Sequence, residues 1–91
     1  MYKVSYNVAK LLSDLESSKR ADGNPRFHIS DAAFAETVGI SRGQAIKILS
    51  DKTRRIDFST IEALLAFFES EGLPVTISDL FAVTKTGDNG R

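Results

Sequence analysis

Two short helical patterns stand on either side of a single glycine, Gly39. In the first, Ser30 can cap the free N–H groups at the start of a helix, and Ile29 before it can pack against Phe34 one turn further on. Gly39 can take the left-handed backbone conformation that ends a helix. These signals predict a helix from residue 31 to about Val38, followed directly by a tight turn.

The second pattern repeats the start signal directly after the glycine. Ile40 precedes Ser41, and Ser41 with Gln44 forms an S-x-x-Q capping box, so a helix is predicted from about Arg42 to Ser50. Two helices joined by so short a turn can cross steeply only if the residue at their point of contact is small. Ala35 meets this requirement. The residues expected to form the inner side of this pair are Phe34, Ala35, Val38, Gly39, Ile40, Ala45 and Ile48.

Apolar residues at helical spacing predict another helix before this pair. Its stripe comprises Val8, Leu11, Leu12 and Leu15, and Asn7 is its candidate N-cap. Ahead of it, residues 2–6 alternate apolar and polar side chains, which indicates a short edge strand or a dimer-forming arm. Residues 19–28 collect Gly, Asn and Pro and are predicted to be a loop.

A fourth helix is predicted after residues 51–55, with either Asp57 or Ser59 as its cap and Gly72 just beyond its end. Its stripe comprises Ile61, Leu64, Leu65 and Phe68. Phe67 lies off this stripe, which leaves open whether it packs in the core or elsewhere. The T-I-S-D sequence of residues 76–79 resembles a capping box that opens a short fifth helix through Phe81.

These patterns predict an all-α fold of four to five helices in one compact domain. The chain has 91 residues, of which 42% are hydrophobic, enough for a single core. The domain is expected to span residues 1–83, with the central helix pair at residues 31–50. Residues 84–91 have little to bury and are expected to form a disordered tail.

The charges are segregated along the chain although the net charge is zero. Residues 42–55 carry five basic side chains against Asp51 alone, and residues 56–81 carry five acidic side chains and no basic one. Such segregation suits a molecule that turns one face to a polyanion.

Several other classes of function find no support in the sequence. The chain has no cysteine and only one histidine, His28, so no metal site or cofactor is expected. No nucleophile and base, and no phosphate-binding glycine loop, stand at a recognisable spacing, so an enzyme is not expected. The lack of cysteine and of a long apolar segment fits a soluble protein of the cytoplasm with no membrane partner.

The pattern of residues 31–50 resembles the helix-turn-helix of the phage repressor and Cro (Xre-type) family of DNA-binding proteins. The shared pattern is a small residue, three residues, glycine, an apolar residue and a capping serine, with apolar residues six and nine positions beyond the glycine. The following basic loop and the fourth and fifth helices are also similar, so the resemblance covers about Val8 to Phe81. It implies a lambda-repressor-like domain. Asp31 departs from the family, which often has glutamine there.

The resemblance implies a sequence-specific transcriptional regulator, a repressor that binds double-stranded DNA as a homodimer with the third helix in the major groove. The residues that it implies for contacts to the bases are Arg42, Gly43, Ile46 and Lys47. Those implied for contacts to the DNA backbone are Ser41, Gln44, Lys52, Arg54 and Arg55. Gln44 serves equally well as part of the capping box, and Ile46 equally well as a contact to a protein partner.

An alternative is a protein-interaction module, such as the antitoxin of a toxin–antitoxin pair. In that case the acidic face of the fourth helix and the C-terminal segment bind a partner, and DNA binding is autoregulatory or lost. Asp31 and the zero net charge favour this alternative.

Overall fold

Four α-helices, one 3₁₀ helix and a two-stranded sheet make up the computed structural model, which describes residues 1–85. The elements in chain order are β1 (Tyr2–Tyr6), α1 (Val8–Ala21), α2 (Asp31–Val38), α3 (Arg42–Leu49), α4 (Phe58–Ser70), the 3₁₀ helix (Ile77–Leu80) and β2 (Phe81–Lys85). Helices account for 55% of these residues and strands for 12%. The prediction of an all-α fold is therefore wrong: the fold is mixed.

The first and last described elements form the sheet. β1 pairs antiparallel with β2, with Tyr2 opposite Lys85 and Tyr6 opposite Phe81. This pairing corrects the predicted boundary of a disordered tail, because Thr84 and Lys85 belong to β2; the rest of that predicted tail lies outside the described residues. Val4 and Val83 also lie opposite each other, and both are exposed.

The start of α1 is tied to the end of the 3₁₀ helix. The backbone N–H of Asn7 donates to the carbonyl of Leu80 at 2.8 Å, and its side-chain Nδ2 donates to the carbonyl of Asp79 at 3.2 Å. Asn7 precedes α1, as predicted, but its side chain makes no capping hydrogen bond. The carbonyl of Asp79 holds this side chain instead.

The two central helices begin and end close to the predicted residues. The Ser30 hydroxyl accepts from the N–H of Ala33, and the Ser41 hydroxyl accepts from the N–H of Gln44, both at 3.1 Å. Gly39 has a φ of 89°, and its N–H donates to the carbonyl of Ala35 at 2.8 Å. The capping serines and the left-handed glycine predicted from the sequence are confirmed.

The core lies where α1, α2, α3 and α4 meet. Phe34 of α2 is fully buried, and its ring meets the ring of Phe67 edge to face, with centroids 5.2 Å apart. Phe67 in turn contacts Phe68 edge to face. Phe67 is therefore a core residue, which the single stripe read from the sequence left open. The other buried apolar residues are Val8, Leu11, Leu12, Leu15, Ala35, Val38, Ala45, Ile48, Leu64 and Leu80.

The long loop between α1 and α2 is fastened to α1. Glu16 Oε2 accepts from the backbone N–H of Ile29 at 2.9 Å and lies 2.9 Å from Nδ1 of His28. Arg20 Nε donates to the carbonyl of Phe27 at 2.8 Å.

Among the helices of residues 1–85, none has both the length and the apolar character needed to cross a membrane.

The helix α4 starts at the first of the two caps that the sequence left open. Asp57 Oδ1 accepts from the N–H of Thr60 at 2.8 Å, and the Ser59 hydroxyl donates to the same oxygen at 3.1 Å. The pKa of Asp57 lies below its ordinary value of 3.8, because Asp57 accepts hydrogen bonds from the side chain of Thr60, from the N–H of Thr60 and from the side chain of Ser59.

Replacing Asp57 with alanine is expected to lower the free energy of unfolding at neutral pH, because α4 loses its N-terminal acceptor. A lowered pKa means that this stabilisation is present above the unfolded-state pKa and is lost as the pH falls through the folded-state pKa. Urea denaturation from pH ~7 to pH ~2 should therefore show the difference between wild type and Asp57→Ala shrink in acid. The control, Asp57→Asn, keeps an acceptor; equal destabilisation of both variants at neutral pH would contradict this role.

Candidate nucleic-acid interface

The outward side of α3 carries all four residues predicted to contact bases. Arg42, Gly43 and Lys47 are exposed, and Ile46 is 42% exposed. A helix of 3.6 residues per turn separates these positions from the inward Ala45 and Ile48, which are buried. A Cβ added at Gly43 would meet nothing within 4 Å, so packing within the described chain does not require glycine there.

The residues predicted to form the inner side of the helix pair lie as follows. Five are buried: Phe34, Ala35, Val38, Ala45 and Ile48. Ile40 is partly buried and packs against this core, whereas Gly39 supplies the left-handed turn. The inner side therefore holds α3 firmly while its outer side stays open to solvent.

The N-terminal turn of α3 offers backbone donors, and its residue Gln44 lies close to Arg54 and Arg55. The Ser41 hydroxyl accepts from the N–H of Gln44. The N–H groups of a first helical turn have no carbonyl partner within their own helix. The aligned peptide dipoles place a partial positive charge there. This end of α3 is suited to a phosphate group.

The basic loop, defined as residues 51–55, is part of the connection between α3 and α4. Lys52 and Arg55 are exposed. The Arg54 side chain is 60% exposed, although its Nη1 donates to the carbonyl of Val4 at 2.9 Å. Arg54 is thus held at one end of its guanidinium group while much of the group faces solvent.

One open depression brings the first turn of α3 next to the basic loop. It is lined by Gln44, Arg54, Arg55, Ile56 and Asp57. Three of the five residues predicted to contact the DNA backbone therefore meet at one surface, and the Asp57 carboxylate joins them there unpredicted. Asp31 lines a different depression, beside Glu16 and His28.

Two residues that sequence reasoning missed fasten the basic loop to β1. Asp51 Oδ1 accepts from the backbone N–H of Tyr6 at 3.0 Å, and the Tyr6 hydroxyl donates to the carbonyl of Arg55 at 3.1 Å. Burial raises the pKa of Tyr6, the Asp51 carboxylate raises it further, and Arg54 opposes both. The only sequence signal was that Asp51 is the sole acidic residue among residues 42–55.

Within residues 1–85, no three His, Cys, Asp or Glu side chains lie close enough together to hold a metal ion.

Comparisons with family models, with curated proteins and with solved structures found no match to this chain. The function is therefore inferred from the residues and their positions.

Proposed function

We propose that this protein is a sequence-specific DNA-binding regulator of transcription, a repressor that acts as a homodimer in the cytoplasm. One observation carries the proposal: Gln44 of α3 and Arg54 and Arg55 of the basic loop line the same depression, beside the open outer side of α3. A base-reading helix and a phosphate-gripping loop must be neighbours in a helix-turn-helix protein of the phage repressor and Cro type, which residues 31–50 resemble.

In this proposal α3 reads base edges in the major groove. An α-helix with its side chains is about 10–12 Å in diameter, which fits the ~12 Å width of the groove, and the eight residues of α3 give it a length of about 12 Å. Arg42 donates two hydrogen bonds to O6 and N7 of a guanine, and Lys47 reads a second position one turn further on. Ile46 packs against a thymine methyl group, and Gly43 lets the DNA approach the helix backbone closely.

The residues around α3 fix its register on the duplex by gripping phosphates. Lys52, Arg54 and Arg55 supply positive charge, and Ser41 with Gln44 supplies the N-terminal turn of α3. A homodimer would place two α3 helices about one turn of DNA apart, so the operator should be an inverted repeat.

Selection from random double-stranded DNA tests this proposal. The wild type should enrich an inverted repeat, and Arg42→Ala should relax the preference at one base position of each half-site. Arg55→Ala is the matched control, because loss of a phosphate contact should weaken binding to all sequences alike. A wild-type selection that enriches no sequence would contradict the proposal, as would an unchanged preference in Arg42→Ala.

A further inference from the structure

Asp51, the one acidic residue of residues 42–55, is bonded to groups of the protein itself. Asp51 is partly buried, with 27% of its side chain exposed, and Oδ1 accepts from the N–H of Tyr6 at 3.0 Å. The same oxygen lies 3.4 Å from Nη1 of Arg54. A carboxylate beside the proposed phosphate contacts is thus engaged with strand β1 and a neighbouring arginine.

Three hydrogen bonds run from the basic loop to β1. Besides the Asp51 bond, Arg54 Nη1 donates to the carbonyl of Val4 at 2.9 Å, and the carbonyl of Arg55 accepts from the Tyr6 hydroxyl at 3.1 Å. The Val4 carbonyl and the Tyr6 N–H are strand-edge groups that a further strand would otherwise use. The loop therefore takes the place of a third strand along β1.

Asp51 also sets the direction in which the chain leaves α3. Its φ is 57°, a left-handed conformation that Asp and Asn adopt more readily than most residues. The next residue, Lys52, donates its N–H to the carbonyl of Lys47 at 2.8 Å. The position of Lys52 relative to α3 therefore depends on the conformation of Asp51.

We infer that Asp51 is a positioning residue for DNA binding: with Arg54 it holds the basic loop against β1 and so fixes Lys52 and Arg55 relative to α3. This inference rests on the proposed function. A loop that is ordered before binding loses less conformational entropy when it grips phosphates. Asp51 thus favours DNA binding even though its charge is negative.

The sign of the effect separates positioning from simple electrostatics. Removal of a carboxylate from a DNA-binding surface should strengthen binding if charge alone matters. Asp51→Ala should instead weaken binding to every duplex by about tenfold, because the loop must then be ordered on binding. Asp51→Asn removes the same charge but keeps an acceptor oxygen and tolerates the left-handed conformation, so it should bind at least as tightly as the wild type.

The experiment measures dissociation constants for the wild type, both Asp51 variants and Asp31→Ala on a selected duplex and on a random duplex. Asp31→Ala is the charge control, because it removes an exposed acidic residue from the other depression and should not weaken binding. Exchange of the Tyr6 amide without DNA should be faster in Asp51→Ala than in Asp51→Asn, which reports the loop contact independently of DNA.

Two results would overturn this inference and leave the proposed function standing. In the first, the wild type binds DNA and Asp51→Ala binds as tightly or more tightly. In the second, the dissociation constant changes equally in both Asp51 variants. If the wild type bound no duplex, the proposed function would fail, and the DNA role of Asp51 with it. Denaturation in urea shows whether Asp51→Ala is folded; if it is not, weaker binding by the folded Asp51→Asn overturns the inference.

Discussion

Raising the salt concentration from ~50 mM to ~200 mM is expected to weaken binding of the dimer to its DNA by about 10³-fold. Binding releases the counterions that each neutralised phosphate had held. Three cationic side chains of each protomer, Lys52, Arg54 and Arg55, are the proposed phosphate contacts, and all three are exposed. About six phosphates neutralised by a dimer give a slope near −5 for log K against log salt concentration.

Titration of a labelled duplex at several salt concentrations measures this slope. Replacing Lys52 with glutamine should reduce its magnitude by about two, because each of two protomers loses one phosphate contact. The matched control is Lys10→Gln: Lys10 lies on α1, paired with Asp14 at 3.1 Å, and its loss should leave the slope unchanged. A slope near zero for the wild type would exclude the proposed mode of binding.

Replacing Phe34 with alanine is expected to lower the free energy of unfolding by about 3–5 kcal/mol. Phe34 is fully buried, and its ring packs edge to face on Phe67. Alanine removes this contact and leaves a cavity between α2 and α4. Since small domains are stable by only about 5–15 kcal/mol, the variant should unfold at a much lower urea concentration.

The chain offers a matched control for this substitution. Phe58, the first residue of α4, is 82% exposed, so Phe58→Ala should change the free energy of unfolding by no more than about 0.5 kcal/mol. Urea denaturation followed by circular dichroism compares the two variants directly. Similar losses of stability in both would mean that the core is not centred on Phe34.

The parts of the fold that sequence reasoning predicted are those with local causes. A capping serine acts within three residues, and a left-handed glycine acts at one position. Ser30, Gly39 and Ser41 therefore defined α2, the turn and α3 from the sequence alone. The stripe on α1 was also correct, because its period is a property of the helix itself.

The parts that were missed depend on contacts between residues far apart in the chain. Residues 2–6 showed the alternation of a strand, but nothing local identified Phe81–Lys85 as their partner, so an all-α fold was predicted. Phe67 is buried because the wide face of α4 meets α2, which one stripe does not reveal. In the same way, the bond from Tyr6 to Asp51 spans forty-five positions and has no pattern of its own.

The pairing of β1 with β2 sets the order in which this chain can assemble. Tyr2 lies opposite Lys85, so the sheet closes a loop of almost the whole described chain, and contacts of such long separation form slowly. During synthesis on the ribosome, β1 emerges before β2, so the two strands cannot pair until β2 follows. We therefore expect the helices to pack first, and the pairing of β1 with β2 to be among the last contacts that a nascent chain completes.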